Sequence, residues 1–295
     1  MFWRLQFVIS KMNLSKAMLF SKFKFVRKSQ SIAILIAIWL LVSCRANQSM
    51  SFNPAQKAAE ISESFMSFWK YWNKEVNLCD AFSAKNDQNK DISKNEFIEM
   101  LMSGNYLPIR IPQYDSSLQY VLVGIPKTVD PAIISTIQQM AGYEKVHLSI
   151  ENKLFPDFEG LDLNNIQWSR SRMEGWFMVI KTWFIKCGPC EQQRPAFEDL
   201  MQKYSNKNVG FISFADDERS ELSKFNEVHD VKYTIIPEQG QFIRNSLGLS
   251  SYPTYLLVDT QGIVLKVSND LKCISNELLH RAKYLNDLPP PPGAN

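Results

Sequence analysis

The period of the apolar positions changes from segment to segment along this chain, and the changes mark its elements. Residues 176–184 are an aromatic and β-branched run broken only by Met178 and Lys181, which predicts a strand. Residues 195–204 carry apolar side chains at 196, 197, 200, 201 and 204, a helical face. Beyond them, 209–215 reads as a buried strand, and Asp216-Asp217 as the start of a helix whose inner face carries Leu222, Phe225 and Val228. A short strand over 233–237, a short helix over 241–247, a hairpin of 255–259 with 263–267 and a last helix over 275–286 follow. Upstream, 54–76 patterns as one amphipathic helix with the stripe Phe65, Phe68, Trp69 and Trp72, which suits a core better than a cofactor box. Residues 106–111 and 118–125 alternate like paired strands, and 131–140 like a helix.

Residues 32–42 are apolar throughout, but these 11 positions are about half of a membrane span. Arg4, Lys11, Lys16, Lys22, Lys24, Arg27 and Lys28 precede them without a single acid, the pattern of an export signal peptide over 1–43. The segment ends in Leu41-Val42-Ser43-Cys44, which resembles the lipobox of bacterial lipoproteins. That resemblance implies a diacylated Cys44 at the mature N-terminus, a tether over 44–53, and a lipid-anchored protein in the bacterial cell envelope facing the periplasm. A short signal anchor with an incidental cysteine is the competing reading.

The formal charge of +3 therefore misleads, because it is carried by the leader. Without those seven residues 26 basic side chains face 30 acidic ones, and a mildly acidic body has no electrostatic footprint for nucleic acid. With 45% hydrophobic and 21% charged residues, most of the chain folds. Pro289 to Pro292 suggest a disordered tail over 288–295.

The chemistry lies in the cysteines. Cys187-Gly188-Pro189-Cys190 falls where the strand over 176–184 ends and a helix begins. A thiol there faces unpaired N–H groups and the positive end of the helix dipole, so its thiolate is favoured. Cys187 is then the nucleophile, and Cys190, one turn on, resolves a mixed disulfide formed on it. The alternative, half of a zinc site, lacks ligands, since Cys79, Cys273, His147, His229 and His280 are scattered. A calcium loop around Asp87, Asn89, Asp91 and Glu96 has Lys85 at its first ligand position and Lys90 where glycine is needed. No metal and no cofactor are expected. Cys79 and Cys273 either bridge the two halves of the chain or stay free.

Trp183-Phe184-Ile185-Lys186-Cys187-Gly188-Pro189-Cys190 together with Ser251-Tyr252-Pro253-Thr254 resembles the TlpA/ResA-like thiol-disulfide oxidoreductases of the thioredoxin fold, especially lipoprotein forms from Bacteroidetes. Phe155-Pro156-Asp157-Phe158 and Leu161-Asp162-Leu163 are similar to the leading hairpin of that class, and the 66 positions from Cys187 to Pro253 leave room for its insertion. The resemblance implies an α/β fold, a central mixed sheet flanked by helices, over 152–287; the pattern of helices and paired strands over 54–151 reads as an N-terminal α+β accessory region, which either docks partners or holds the redox domain off the membrane. It implies Cys187 as attacking thiol, Cys190 as resolving thiol, Pro253 as a cis-proline beside them, Tyr252 as a substrate-pairing residue and Trp183 as the aromatic beneath the site. In two places the chain departs from the pattern. Lys181 occupies the position of a buried carboxylate, and Gln193 that of an acid after the second cysteine. Lys181 and Lys186 are expected to favour the Cys187 thiolate electrostatically, unless Lys181 is a solvated strand-edge residue, and Glu191 to replace part of the missing acid.

The function so implied is reduction of disulfides in extracytoplasmic proteins, with electrons from a membrane thiol donor. A thiol peroxidase would need proline and threonine where Ile180 and Phe184 stand, and a redox-inert binding lipoprotein would have no use for an intact pair.

Overall fold

A computed structural model describes residues 52–285 apart from 116, 127 and 206; the leader, Cys44 and the proline-rich tail lie outside the described residues. Among the described residues no helix is long and apolar enough to cross a membrane.

The N-terminal part begins with helices α1 (Pro54–Ser62) and α2 (Phe65–Glu75), where the sequence pattern suggests a single helix. Ser64 separates them: its backbone is extended, and its hydroxyl accepts the Ser67 N–H at 3.1 Å, so α2 starts with its own cap. Strands β1 (Ser83–Lys85) and β2 (Asp91–Ile92), helix α3 (Lys94–Met102), and strands β3 (Tyr106–Arg110) and β4 (Gln119–Gly124) follow. The sheet order is β2-β1-β4-β3, with β1 and β4 parallel and the other pairs antiparallel. Phe68, Trp72, Phe97, Leu101, Tyr120 and Ile133 close its core. Of the residues considered for calcium, Asp91 pairs with the Lys85 ammonium at 3.0 Å and Glu96 completes a capping box with Ser93.

Helix α4 (Pro131–Ile150) is twice as long as its sequence reading. Asp130 caps it, and Ile133, Ile137, Ala141, Glu144 and His147 continue one buried face well past residue 140. The polar members of that face hide its period from an apolar count; Glu144 is buried because Lys94 pairs with it at 2.8 Å.

The second half opens with a hairpin, β5 (Glu159–Leu161) and β6 (Gln167–Ser169), followed by the short helix α5 (Arg170–Met173). Asp162 organises the turn by accepting the Asn164 and Ile166 N–H groups and the Trp168 indole. Then come β7 (Phe177–Trp183), α6 (Gly188–Gln192), α7 (Arg194–Lys203), β8 (Val209–Ala215), α8 (Arg219–His229), β9 (Thr234–Ile236), a π-helical turn (Phe242–Ser246), β10 (Thr254–Val258), β11 (Val264–Ser268) and α9 (Leu271–Leu285). The sheet order is β11-β10-β7-β8-β9, with β7, β8 and β9 parallel and β10 and β11 antiparallel. This is the thioredoxin-like α/β architecture.

All seven residues of β7 are buried, because layers cover both faces of the sheet. Phe177, Val179 and Trp183 meet Phe197, Phe211, Tyr255 and Ile274 on one side, and Met178 and Ile180 meet Phe155, Phe158, Phe214 and Leu256 on the other. Each such apolar side chain contributes roughly 1.5–3 kcal/mol by leaving water. Two helix starts and the facing of one residue differ from the sequence pattern. Helix α8 starts at Arg219, since Asp217 is engaged elsewhere and Glu218 is its N-cap. Its Val228 is 79% exposed rather than inward. Helix α9 starts at Leu271, where the Asp270 carboxylate accepts the Lys272 N–H at 2.9 Å. In the β10–β11 turn Gly262 has φ +81°, which a side chain rarely adopts.

The two halves pack as parts of one unit. Cys79 and Cys273 form a disulfide between the N-terminal half and α9. Beside it the Lys266 ammonium donates to the Cys79 carbonyl, and Glu151 accepts the Val267 N–H at 3.0 Å.

Candidate active site

Strand β7 delivers the chain to the top of the sheet, and Cys187 follows as the N-cap of α6. Its sulfur accepts the Cys190 N–H at 3.2 Å and is joined to the Cys190 sulfur in a disulfide. Pro189 suits the first turn of α6, where an N–H would have no intrahelical partner. Cys187 is 3% exposed and Cys190 is fully buried, so a visiting thiol meets the first sulfur before the second. The approach is held by Asp217, whose carboxylate accepts the Ile185 N–H at 2.8 Å; burial raises its pKa from the ordinary carboxylate value.

The Tyr252–Pro253 peptide is cis and leads into β10. Asn269 fixes that loop through one amide nitrogen, which donates to the Pro253 carbonyl at 2.7 Å and lies 2.9 Å from the Ser251 and Thr254 hydroxyls. The half-buried Tyr252 ring sits edge-on to Phe184 with centroids 5.3 Å apart, and burial raises its phenol pKa. Cysteine pair and cis-proline loop are therefore joined by an aromatic contact on the Cys187 side.

Trp183 is fully buried, donates its indole N–H to Ser213 at 3.0 Å and packs on Phe225. Lys186 is exposed. Glu191 accepts from Arg194 at 3.2 Å, and Gln193 accepts the Tyr255 phenol proton at 3.2 Å. Lys181 lies in the central strand, not at an edge, and is fully buried. Its Nζ donates to the Cys190 carbonyl and to the Tyr233 hydroxyl, each at 3.3 Å, and burial pulls its pKa down from 10.5 to about 8. The ammonium thus sits under Cys190 rather than beside Cys187.

Asp217, Asn269 and Tyr233 escape a sequence reading. Asp217 looks like a helix start, Asn269 like a loop residue, and Tyr233 like strand filler, because each acts across the fold rather than along the chain.

A cysteine pair at the end of the first parallel strand of such a sheet, across from a cis-proline loop, is the arrangement of thioredoxin-like thiol-disulfide oxidoreductases. Residues 152–267 match the AhpC/TSA family. Among curated proteins the chain is homologous to the thioredoxin-like protein YneN of Bacillus subtilis, 29% identical over 126 residues, which are 41% of this chain and 74% of that protein. It is also homologous to the thiol-disulfide oxidoreductase ResA of Bacillus thuringiensis, 28% identical over 112 residues, 38% of this chain and 65% of that one. The match thus spans just under two thirds of ResA. Among solved structures it is similar to the thioredoxin domain of a thiol-disulfide oxidoreductase from Bacteroides vulgatus, with 18% identity and a TM-score of 0.41, covering 46% of this chain and 98% of that domain.

Proposed function

We propose that this protein is an envelope thiol-disulfide oxidoreductase that reduces disulfides in extracytoplasmic proteins. The observation that supports the reading is the Cys187–Cys190 disulfide at the N-terminus of α6, after strand β7, whose Thr182 pairs with Thr254 next to the cis Tyr252–Pro253 peptide. In the dithiol form the Cys187 thiolate attacks a client disulfide, forming a mixed disulfide and expelling one client sulfur as thiolate. Cys190 then attacks Cys187, the bond to the client breaks, and its electron pair leaves on the second client sulfur. The client gains two electrons and the pair loses two. Tyr252 and Pro253 offer their backbone to the extended client segment, and Trp183 and Glu191 shape the surroundings of the pair.

Residues 152–287 form the redox domain in this reading, and 54–151 an accessory domain that holds it away from the membrane. Export by 1–43, lipid on Cys44 and recharging by a membrane thiol donor complete the proposal, supported by the basic leader, its short apolar segment and the residues before Cys44. Cys190→Ser tests it. Expressed in cells, this variant is expected to accumulate mixed disulfides on Cys187 that a Cys187→Ser, Cys190→Ser double variant does not form. Absence of adducts, with no insulin-disulfide reduction by the purified wild type, would sink the reading.

A further inference from the structure

The two disulfides of the described residues share a setting. Cys190 is the third residue of α6, and Cys273 is the third residue of α9, a helix of 15 residues whose first turn favours a thiolate. Cys79 is 5% and Cys273 3% exposed, against 3% for Cys187, so the second bond is no more deeply hidden than the first. Both cysteines line an open cleft of about 330 Å³, together with Glu144, His147, Asn269 and Asp270. In its wall the buried His147 Nε2 finds no hydrogen-bond partner among the described residues, a polar group left for a visiting molecule. The Asp80 carboxylate lies 3.7 Å from the Cys79 sulfur, placed to accept a thiol proton there once the bond is open.

Opening that bond leaves other ties between the halves in place. Glu151 still accepts the Val267 N–H, and the Lys94 and Lys266 ammonium groups still donate to the Cys79 carbonyl. What comes free is the first turn of α9. Asn269 stands four residues before Cys273, and its amide nitrogen holds the cis-proline loop by donating to the Pro253 carbonyl at 2.7 Å. We propose that Cys79 and Cys273 form a second thiol-exchange site, opened by a dithiol, whose state reaches the first through Asn269. The inference rests on the exchange reading above. As a step, one thiolate of the dithiol attacks the Cys79 sulfur, the Cys79–Cys273 bond breaks, and Cys273 leaves as the thiolate that α9 stabilises. The second thiolate of the dithiol then attacks the sulfur bound to Cys79, and Cys79 leaves and takes up a proton beside Asp80. The dithiol loses two electrons and closes into a disulfide, and the two cysteines gain them. With the bond closed, Asn269 presents the Pro253 loop to clients. With it open the loop loses that support, so the protein reduces clients only in surroundings that keep this bond oxidised.

Full-length protein held with graded amounts of the dithiol DTT, quenched by alkylation and mapped by mass spectrometry, reports on each bond separately. Cys187–Cys190 is expected to open first and Cys79–Cys273 at higher DTT, with the native circular dichroism kept throughout. A second bond that opens before the first, or only after denaturant is added, overturns the proposal. Protein reduced at Cys187–Cys190 alone is then compared, in a single turnover with insulin, with protein reduced at both. Opening the second bond is expected to slow client reduction by about tenfold, within the ordinary range for coupled sites. In Asn269→Ala the two states are expected to react at one slow rate, since the link is gone. Equal rates for the two wild-type states, or an undiminished difference between them in Asn269→Ala, overturns the proposal. The wild-type comparison needs no variant, so it decides even where Asn269→Ala fails to fold. Wild type that reduces no insulin in either state defeats the exchange reading itself, while the alkylation map still reads the second bond.

Discussion

Lys181 binds its proton less tightly folded than unfolded, and that difference makes stability depend on pH. Between about 8 and 10.5 the unfolded chain holds the proton more often than the native one, so stability gains with rising pH across this window. The buried Tyr71, Tyr120, Tyr233 and Tyr255 act oppositely at higher pH, since burial raises each and only the unfolded chain ionises them at 10.0. Subtracting the unfolding curve of Lys181→Met removes the tyrosine contribution. The difference between wild type and variant is expected to move by about 3 kcal/mol in favour of wild type from neutral pH to beyond the window. A flat difference in urea titrations would mean that the lysine stays protonated in the fold. Cys187 and Cys190 are legible in the sequence because their chemistry needs only spacing and a helix start. The place of Lys181 is not, since lysine in a strand ordinarily reads as solvated.

Elements are legible where one apolar period runs unbroken and obscure where polar residues carry it. Strand β7 and the β10–β11 hairpin follow from pattern alone, as do β3 and β4. The split at Ser64 is invisible to periodicity, because the apolar face of α1 at Ala58 and Ile61 runs on at helical spacing into Phe65, Phe68 and Trp72 of α2. Capping decides it. Helix α4 is obscure for the reverse reason, its inner face passing through Glu144 and His147. Its start, by contrast, rests on a local signal, the Asp130 carboxylate accepting the Ala132 N–H at 2.9 Å ahead of Pro131. Asp130→Ala is expected to lower stability by about 1 kcal/mol in thermal or urea unfolding, with thiol exchange by the pair unaltered. A loss of exchange would mean that α4 bears on the site as well as on the fold.

At the scale of the molecule, the Cys79–Cys273 bond closes a sequence separation of 194 and ties the N-terminal half to the helix that ends the redox half. Replacing both cysteines by serine is expected to cost roughly 2–5 kcal/mol in denaturant unfolding, chiefly by freeing the unfolded chain. A variant as stable as the wild type would show that packing around Glu151 and Lys266 already holds the halves together. Whether these two cysteines pair is beyond a sequence reading, since long separations give no geometric hint; the resemblance of the second half to a redox family says nothing about the first. The bond also sets an order of assembly. Its two sulfurs stand 194 positions apart, so a ribosome must deliver the second half as far as α9 before the clasp can shut. A fold that carries one disulfide at its candidate site thus closes another to hold its halves together.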